Sequence, residues 1–304
     1  MSAIVNPSLQ DFADAAEALG LPSPDLVEKD YWVVRVLSAI HALSTEQRTF
    51  VFGGGTSICR AYCLIERMSE DIDLRVIGPA PFTEGARRKI REEVEAALAG
   101  LGLTGDGYQR LAFDGNRKLE FHLPYTRHTP VTAALRPEIK LELAFYPLQM
   151  DAQIKSVTSF LHQAAKQNAE LNNLPCVALE ETAAEKFLAL LRRVGAWQQN
   201  PQAEAFDHTL IRHIHDLGRI EGHIDHEKVL AHIRQLIPVE SARYGRNHTA
   251  FATNPRAEMA RVLNSLTQPE FEQYFNQFQI DMVYGNQQDY NHCIYLVTAL
   301  HNQL

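Results

Sequence analysis

Four cysteines in 304 residues, none of them in a CxxC pair, leave no material for a disulfide framework or a cysteine-based zinc module. No apolar run reaches the roughly 20 residues a membrane-spanning helix needs. The opening MSAIVNPSLQDFADAAEALG has no basic segment leading into an apolar one, so a cytoplasmic location is expected. Basic charge is also scarce: 29 Lys and Arg stand against 37 Asp and Glu, a net charge of -8. That balance excludes a global attraction to nucleic acid or anionic membrane, so a nucleic-acid partner would have to meet a local patch. The sequence contains no GK[ST] phosphate loop and no HExxH, and its GGGTS stretch at 53–57 is not a GxGxxG. His208, His213, His215, His223, His226 and His232 follow no zinc spacing.

What is present fits an ordinary globular chain, and its length allows two packed units. Helices are expected over 8–20 and 25–43, with Ser23 or Asp25 as the cap of the second. TFVFG at 49–53 reads as a buried strand, SICRAYCLIERM as helical, and DIDLRVIG at 71–78 as an alternating strand. On that helix Cys59 and Cys63 would share a face as small buried residues. A charged helix over 83–100 and three strands, GYQRLAFD, RKLEFHLPY and PEIKLELAFYP, complete a mixed sheet. From about 155 onward the pattern is almost wholly helical, which places a domain boundary there: 1–155 for the sheet and 156–304 for the helices. The fold class is α+β.

The stretch FVFGGGTSICRAYCLIERMSEDIDLRV, 50–76, carries chemistry that core building does not need. Glycines after a buried strand let backbone amides approach an anion, and a following helix would aim its positive end at the same point. A structural turn explains GGGTS about as well. Asp71 and Asp73, two apart on a strand, face one way while Ile72 and Leu74 face the core. Adjacent carboxylates repel unless a cation lies between them, and oxygen ligands suit Mg²⁺ or Mn²⁺. A third carboxylate is expected on a neighbouring strand: Glu142 in IKLELAF is preferred and Glu120 in KLEFH is its rival. Lys140, on the face of Glu142, would either pair with it or meet a phosphate.

The order Gly-Gly-Thr-Ser, Asp-Ile-Asp and a later hydrophobic-Glu-hydrophobic strand resembles the DNA polymerase β-type nucleotidyltransferase superfamily. More narrowly, EKDYW at 28–32, FGGGTS at 52–57, RMSEDIDL at 67–74, EETAAEKFLALLRR at 180–193 and RHIHDL at 212–217 resemble, in order, the AbiEii/AbiGii toxin family. These are the nucleotidyltransferase, MenT-like toxins of bacterial type IV toxin–antitoxin and phage abortive-infection systems. The resemblance implies a nucleotidyltransferase domain followed by a helical domain that completes a bilobed cleft and meets the acceptor. It further implies NTP as co-substrate, a tRNA 3′ end as acceptor, and a separate antitoxin; neither DNA nor membrane is expected as a partner.

The roles it implies fall on particular residues. Asp71 and Asp73 would hold metal with Glu142. Gly54, Gly55, Thr56 and Ser57 would grip the triphosphate, with Arg60 or Arg67 offsetting its charge, unless Arg67 pairs with Glu70. Lys186 would contact phosphate, and Asp216, at the end of RHIHDL, would orient Lys186 or the nucleotide. Arg60 stands where the family commonly has lysine, and His213 where many relatives have an acid. Ser69 is a candidate for an inactivating phosphorylation, and Lys29 and Asp30 for bracing the sheet. The arginines Arg192, Arg193, Arg212, Arg243 and Arg246 discriminate between acceptors: clustered they favour RNA, scattered a protein or small molecule.

Overall fold

The computed structural model describes residues 6–130, 135–202, 205–245 and 248–304. Arg246 and the first five residues lie outside them. The chain divides into two compact units, Met1–Cys63 with Met68–Val177, and Leu64–Arg67 with Ala178–Leu304.

The first unit contains α1 (Leu9–Leu19), α2 (Pro24–His41), α3 (Gly54–Arg60), α4 (Glu84–Gly100) and α5 (Phe160–Ala164), with strands β1 (Thr49–Gly53), β2 (Asp71–Ile77), β3 (Gln109–Phe113), β4 (Lys118–Pro124), β5 (Glu138–Ala144), β6 (Gln153–Val157) and β7 (Leu171–Cys176). They form one mixed sheet in the order β3-β4-β5-β2-β1-β7-β6, parallel at β2/β5 and β1/β7. Strict alternation in β2, β4 and β5 sends Ile72, Leu74, Leu119, Phe121, Leu141 and Leu143 into the core. There they join Val33 and Leu37 of α2 and Ile90 and Val94 of α4. The opposite face carries Asp71, Asp73, Glu120, Lys140 and Glu142, because register partners on adjacent strands point the same way. The fold is α+β, as expected.

Four expectations change. The sheet does not stop near residue 155, which falls inside β6; β7 lies beside β1, and the compact units divide at Val177. The glycines do not precede the helix after β1: Gly54 and Gly55 are its first turn, and it ends at Arg60. Cys59 is buried on α3 while Cys63 lies beyond it, exposed and at φ 56°, so the two share no helix face. Ser23 occupies the cap position of α2 but makes no side-chain bond to the helix amides, its hydroxyl instead donating to Asp25.

The second unit consists of α6 (Leu179–Gln199), α7 (Arg212–Ile220), α8 (His226–Tyr244), α9 (Thr249–Thr253), α10 (Pro255–Leu266), α11 (Pro269–Met282) and α12 (Tyr290–Asn302). α6 packs on α7, α8 and α10, and α7 packs on α12. Side-chain caps start α8 at Asp225, α10 at Asn254 and α12 at Asp289, each accepting from an amide of the first turn. The segment Leu64–Arg67 joins this unit through Glu66, whose carbonyl accepts from the amides of Tyr284 and Gly285, and through a bridge between Arg67 and Val283.

Candidate active site

In the first unit, Gly53 of β1 pairs with Asp73 of β2, so the chain enters α3 directly beside that aspartate. Gly54 has φ +71°, and a Cβ on it would lie 1.8 Å from Asp73 Oδ2. Only glycine permits this approach. The hydroxyl of Thr56 donates to the carbonyl of Asp71 and lies 2.9 Å from that of Ser69, which ties α3 to the start of β2. Ser57 donates to the carbonyl of Gly54 at 2.9 Å. Both α3 hydroxyls therefore serve the local backbone in this structure.

Asp73 is the register partner of Glu142, and Asp71 that of Lys140. Glu120 lies one strand further out, opposite Glu142. Of the two rival carboxylates, Glu142 is thus the one on the strand adjoining the aspartates. Its two oxygens are held by Lys118 and Lys140, each at 2.6 Å. Burial pushes the Glu142 carboxyl up, but the hydrogen bonds and charge of the two lysines outweigh it and hold the group below its usual range. Arg136 bonds Asp71 at 2.8 Å, and Glu70 accepts from the Arg136 amide and from Lys29, at 3.0 Å each. Lys140 also lies 3.4 Å from Glu120, which is joined by His122 at 2.8 Å, and His122 reaches Glu138 at 2.5 Å. The hydrogen bond to Glu138 raises the His122 pKa against its burial.

Among the described residues no three His, Cys, Asp or Glu side chains form a ready metal cage. The donor chemistry nevertheless fits a hard dication, since carboxylates on two adjacent strands share one face and the Asp73 carboxylate occupies the space that a side chain on Gly54 would fill. In this structure protein cations compensate Asp71 and Glu142.

Arg60 takes a bracing role instead of the charge-offsetting one expected. Its Nε lies 2.9 Å from Asp30, its guanidinium donates to the carbonyl of Thr158, and it sits 3.9 Å over the ring of Phe160. Asp30 also accepts from the Phe160 amide at 2.6 Å. Burial, opposed by Arg60, pushes the Asp30 carboxyl up to about 6. Lys29, fully buried, donates to the carbonyls of Arg136 and Glu138, so the lysine and aspartate of EKDYW do brace the sheet unit.

In the second unit, Arg67 grips Asp216 with two parallel bonds of 2.7 and 2.6 Å, and Lys186 reaches the same carboxylate at 2.8 Å. Arg67 therefore pairs with Asp216. All three side chains are buried. Burial pushes Asp216 up, but the two cations hold it well below the usual carboxylate range. The expectation that Asp216 ends its helix is corrected: α7 runs on to Ile220, so the residue sits mid-helix and its role follows from these two cations. His213, one turn earlier, is buried, and its pKa is driven well down by burial and then by Lys186 and Arg212.

The sequence pointed to Asp71, Asp73, Glu142, Lys140, Lys186 and Asp216 but missed Lys118, His122 and Arg136. The alternation of KLEFH places Lys118 and His122 on the Glu120 face and offered the signal; nothing local marks Arg136. Of the five arginines, Arg192 pairs with Glu240 and Arg193 with Asp207.

A mixed sheet bearing paired carboxylates beside a glycine-led helix is the arrangement expected of a nucleotidyltransferase. The sequence model of the family described as "Nucleotidyl transferase AbiEii toxin, Type IV TA system" matches residues 35–294, and the chain belongs to this family of nucleotidyltransferase toxins. The solved structure of MenT4, a nucleotidyltransferase toxin from Mycobacterium tuberculosis H37Rv, is similar at 19% identity and a TM-score of 0.49, covering 96% of this chain and 98% of that one. No curated protein sequence matches. No helix among the described residues is long and apolar enough to cross a membrane.

Proposed function

We propose that this toxin transfers a nucleoside monophosphate from an NTP to the 3′ end of tRNA, with Mg²⁺ or Mn²⁺, and so blocks translation in the cytoplasm as part of phage defence, under the control of a cognate antitoxin. The observation that carries the chemistry is the placement of Asp71 and Asp73 on one strand, with Glu142 opposite Asp73 on the next and Gly54 pressed against Asp73. When bound, a divalent ion would supply Lewis acidity at the α-phosphorus and lower the pKa of the acceptor hydroxyl. Asp71, Asp73 and Glu142 are the residues that would hold it.

The rest falls to the chain's own groups. The amides of Gly54, Gly55 and Thr56 face the triphosphate, and Lys140 supplies positive charge to its oxygens. Within the second unit, Asp216 fixes the ammonium of Lys186, and Arg67 secures Asp216. Positioning and electrostatics carry phosphoryl chemistry of this type, and a preorganised cation costs no rearrangement as charge develops.

Incubation of the protein with bacterial tRNA, Mg²⁺ and each α-³²P-labelled NTP in turn tests this. Label should enter tRNA with one nucleotide and vanish in Asp71→Ala, Asp73→Ala protein. Transfer to protein or to a small molecule, with none to tRNA, would replace the acceptor. One observation favours that second reading: Arg192 and Arg193 are each spoken for by a carboxylate, which weakens any basic surface for RNA on α6.

A further inference from the structure

Glu142 is held differently from an open metal ligand. Lys118 and Lys140 each place an ammonium 2.6 Å from one of its two oxygens, so both oxygens are engaged. The two lysines come from different strands, Lys118 from β4 and Lys140 from β5. Arg136 holds Asp71 in the same manner at 2.8 Å. A dication on these carboxylates would stand close to three protein cations, in partly buried surroundings where like charges repel more strongly than in water. These cations must move, and they need an anion to move to. A triphosphate is such an anion, with terminal oxygens that accept ammonium hydrogen bonds.

We infer that Lys118 and Lys140 form a clamp that keeps Glu142 from metal until an NTP arrives and takes the two ammonium groups onto its phosphates, so that metal and nucleotide enter together. This rests on the proposed metal-dependent reading and adds to it an order of binding and a role for Lys118. No bond is made or broken; two ion pairs exchange partners. Because linkage is reciprocal, the factor by which nucleotide raises metal affinity is also the factor by which metal raises nucleotide affinity. Lys118 is the more exposed of the pair, at 38% against 18%.

The test uses the full chain and its Lys118→Met, Lys140→Met double variant, each first shown by thermal melting to be folded. Mn²⁺ alone is titrated into each protein and followed by electron paramagnetic resonance. Fluorescently labelled ATP, CTP, GTP and UTP are bound separately, without metal, and followed by anisotropy. The expected result is a pair of opposite effects: the variant binds Mn²⁺ alone about tenfold more tightly and metal-free nucleotide about tenfold more weakly, within the span usual for coupled sites. A merely structural defect would weaken both. Mn²⁺ binding equally to wild type and variant, and lost in Asp71→Asn, Asp73→Asn protein, would overturn the clamp and leave the metal site standing. Mn²⁺ binding indifferent to the aspartates, or absent from both proteins with and without nucleotide, would overturn the metal reading and the clamp with it.

Discussion

Asp216 and Glu142 are both carboxylates held by two protein cations, yet they stand in opposite surroundings. Asp216, in the helical unit, is fully buried, with Arg67 at 2% and Lys186 at 8% exposure. Glu142, on the sheet, is 18% exposed and its partner Lys118 38%. Taking a charge out of water is costly, so a buried pair persists only when its geometry is complete, and removing one member strands the others. At a half-open face, water screens the pair and can replace either partner. The same motif is therefore a lock in one unit and an exchangeable contact in the other.

The largest effect should come from breaking the lock. Asp216→Asn removes the buried carboxylate that Arg67 and Lys186 share and should cost about 3–5 kcal/mol, read from denaturant unfolding of the whole chain, with loss of transfer activity. A change no larger than that of an exposed ion pair would erase the distinction between the two regions.

Gly54→Ala probes the open face sterically. A methyl 1.8 Å from Asp73 Oδ2, at φ +71°, must displace the carboxylate. Misplacement on the order of 1 Å can cost about 10²-fold in rate, so kcat should fall by about that factor while stability falls less than in Asp216→Asn. Unchanged kcat would mean that Asp73 is not needed where it stands.

Asp30 with Arg60 is an intermediate case, at 4% and 9% exposure. Its carboxyl, pushed up from 3.8 to about 6, binds a proton more readily folded than unfolded. Between those values the native state holds the extra proton, so stability falls as pH rises through the window and is level above it. The stability of the wild type relative to Asp30→Asn should decline from pH 4 to pH 6 and then flatten, as measured by denaturation at each pH. A flat difference across that range would contradict the shift.

Lys118→Met should do least to the fold. The half-exposed pair contributes less than about 1 kcal/mol, leaving the melting temperature almost unmoved. A loss rivalling that of Asp216→Asn would make the sheet contact a lock as well.

Much of the fold was legible. β2, β4 and β5 were readable because strict alternation with a buried face is an unambiguous period, and β1 because TFVFG is a short apolar run closed by glycine. The almost wholly helical second half was legible too, and Asn254 as cap with Pro255 in the first turn marks the start of α10. β6 and β7 were missed for a physical reason: QIKSV is largely exposed, and LNNLPC carries Asn173 at positive φ and a proline, so neither alternates. β7 is held by pairing with β1 and β6, and not by its own propensity.

The sequence by itself determined the chemistry available: two aspartates facing one way from β2, glycines beside them, and the apolar stripes that build an α+β chain. These follow from strand and helix periods, which are local. Tertiary structure alone decided the partners. Arg67 meets Asp216 across 149 residues and Arg136 meets Asp71 across 65. Glu142 rather than Glu120 adjoins the aspartates because β5 inserts between β4 and β2. Such pairings depend on which strands neighbour one another and which charges are denied water, and no local pattern in the chain encodes either.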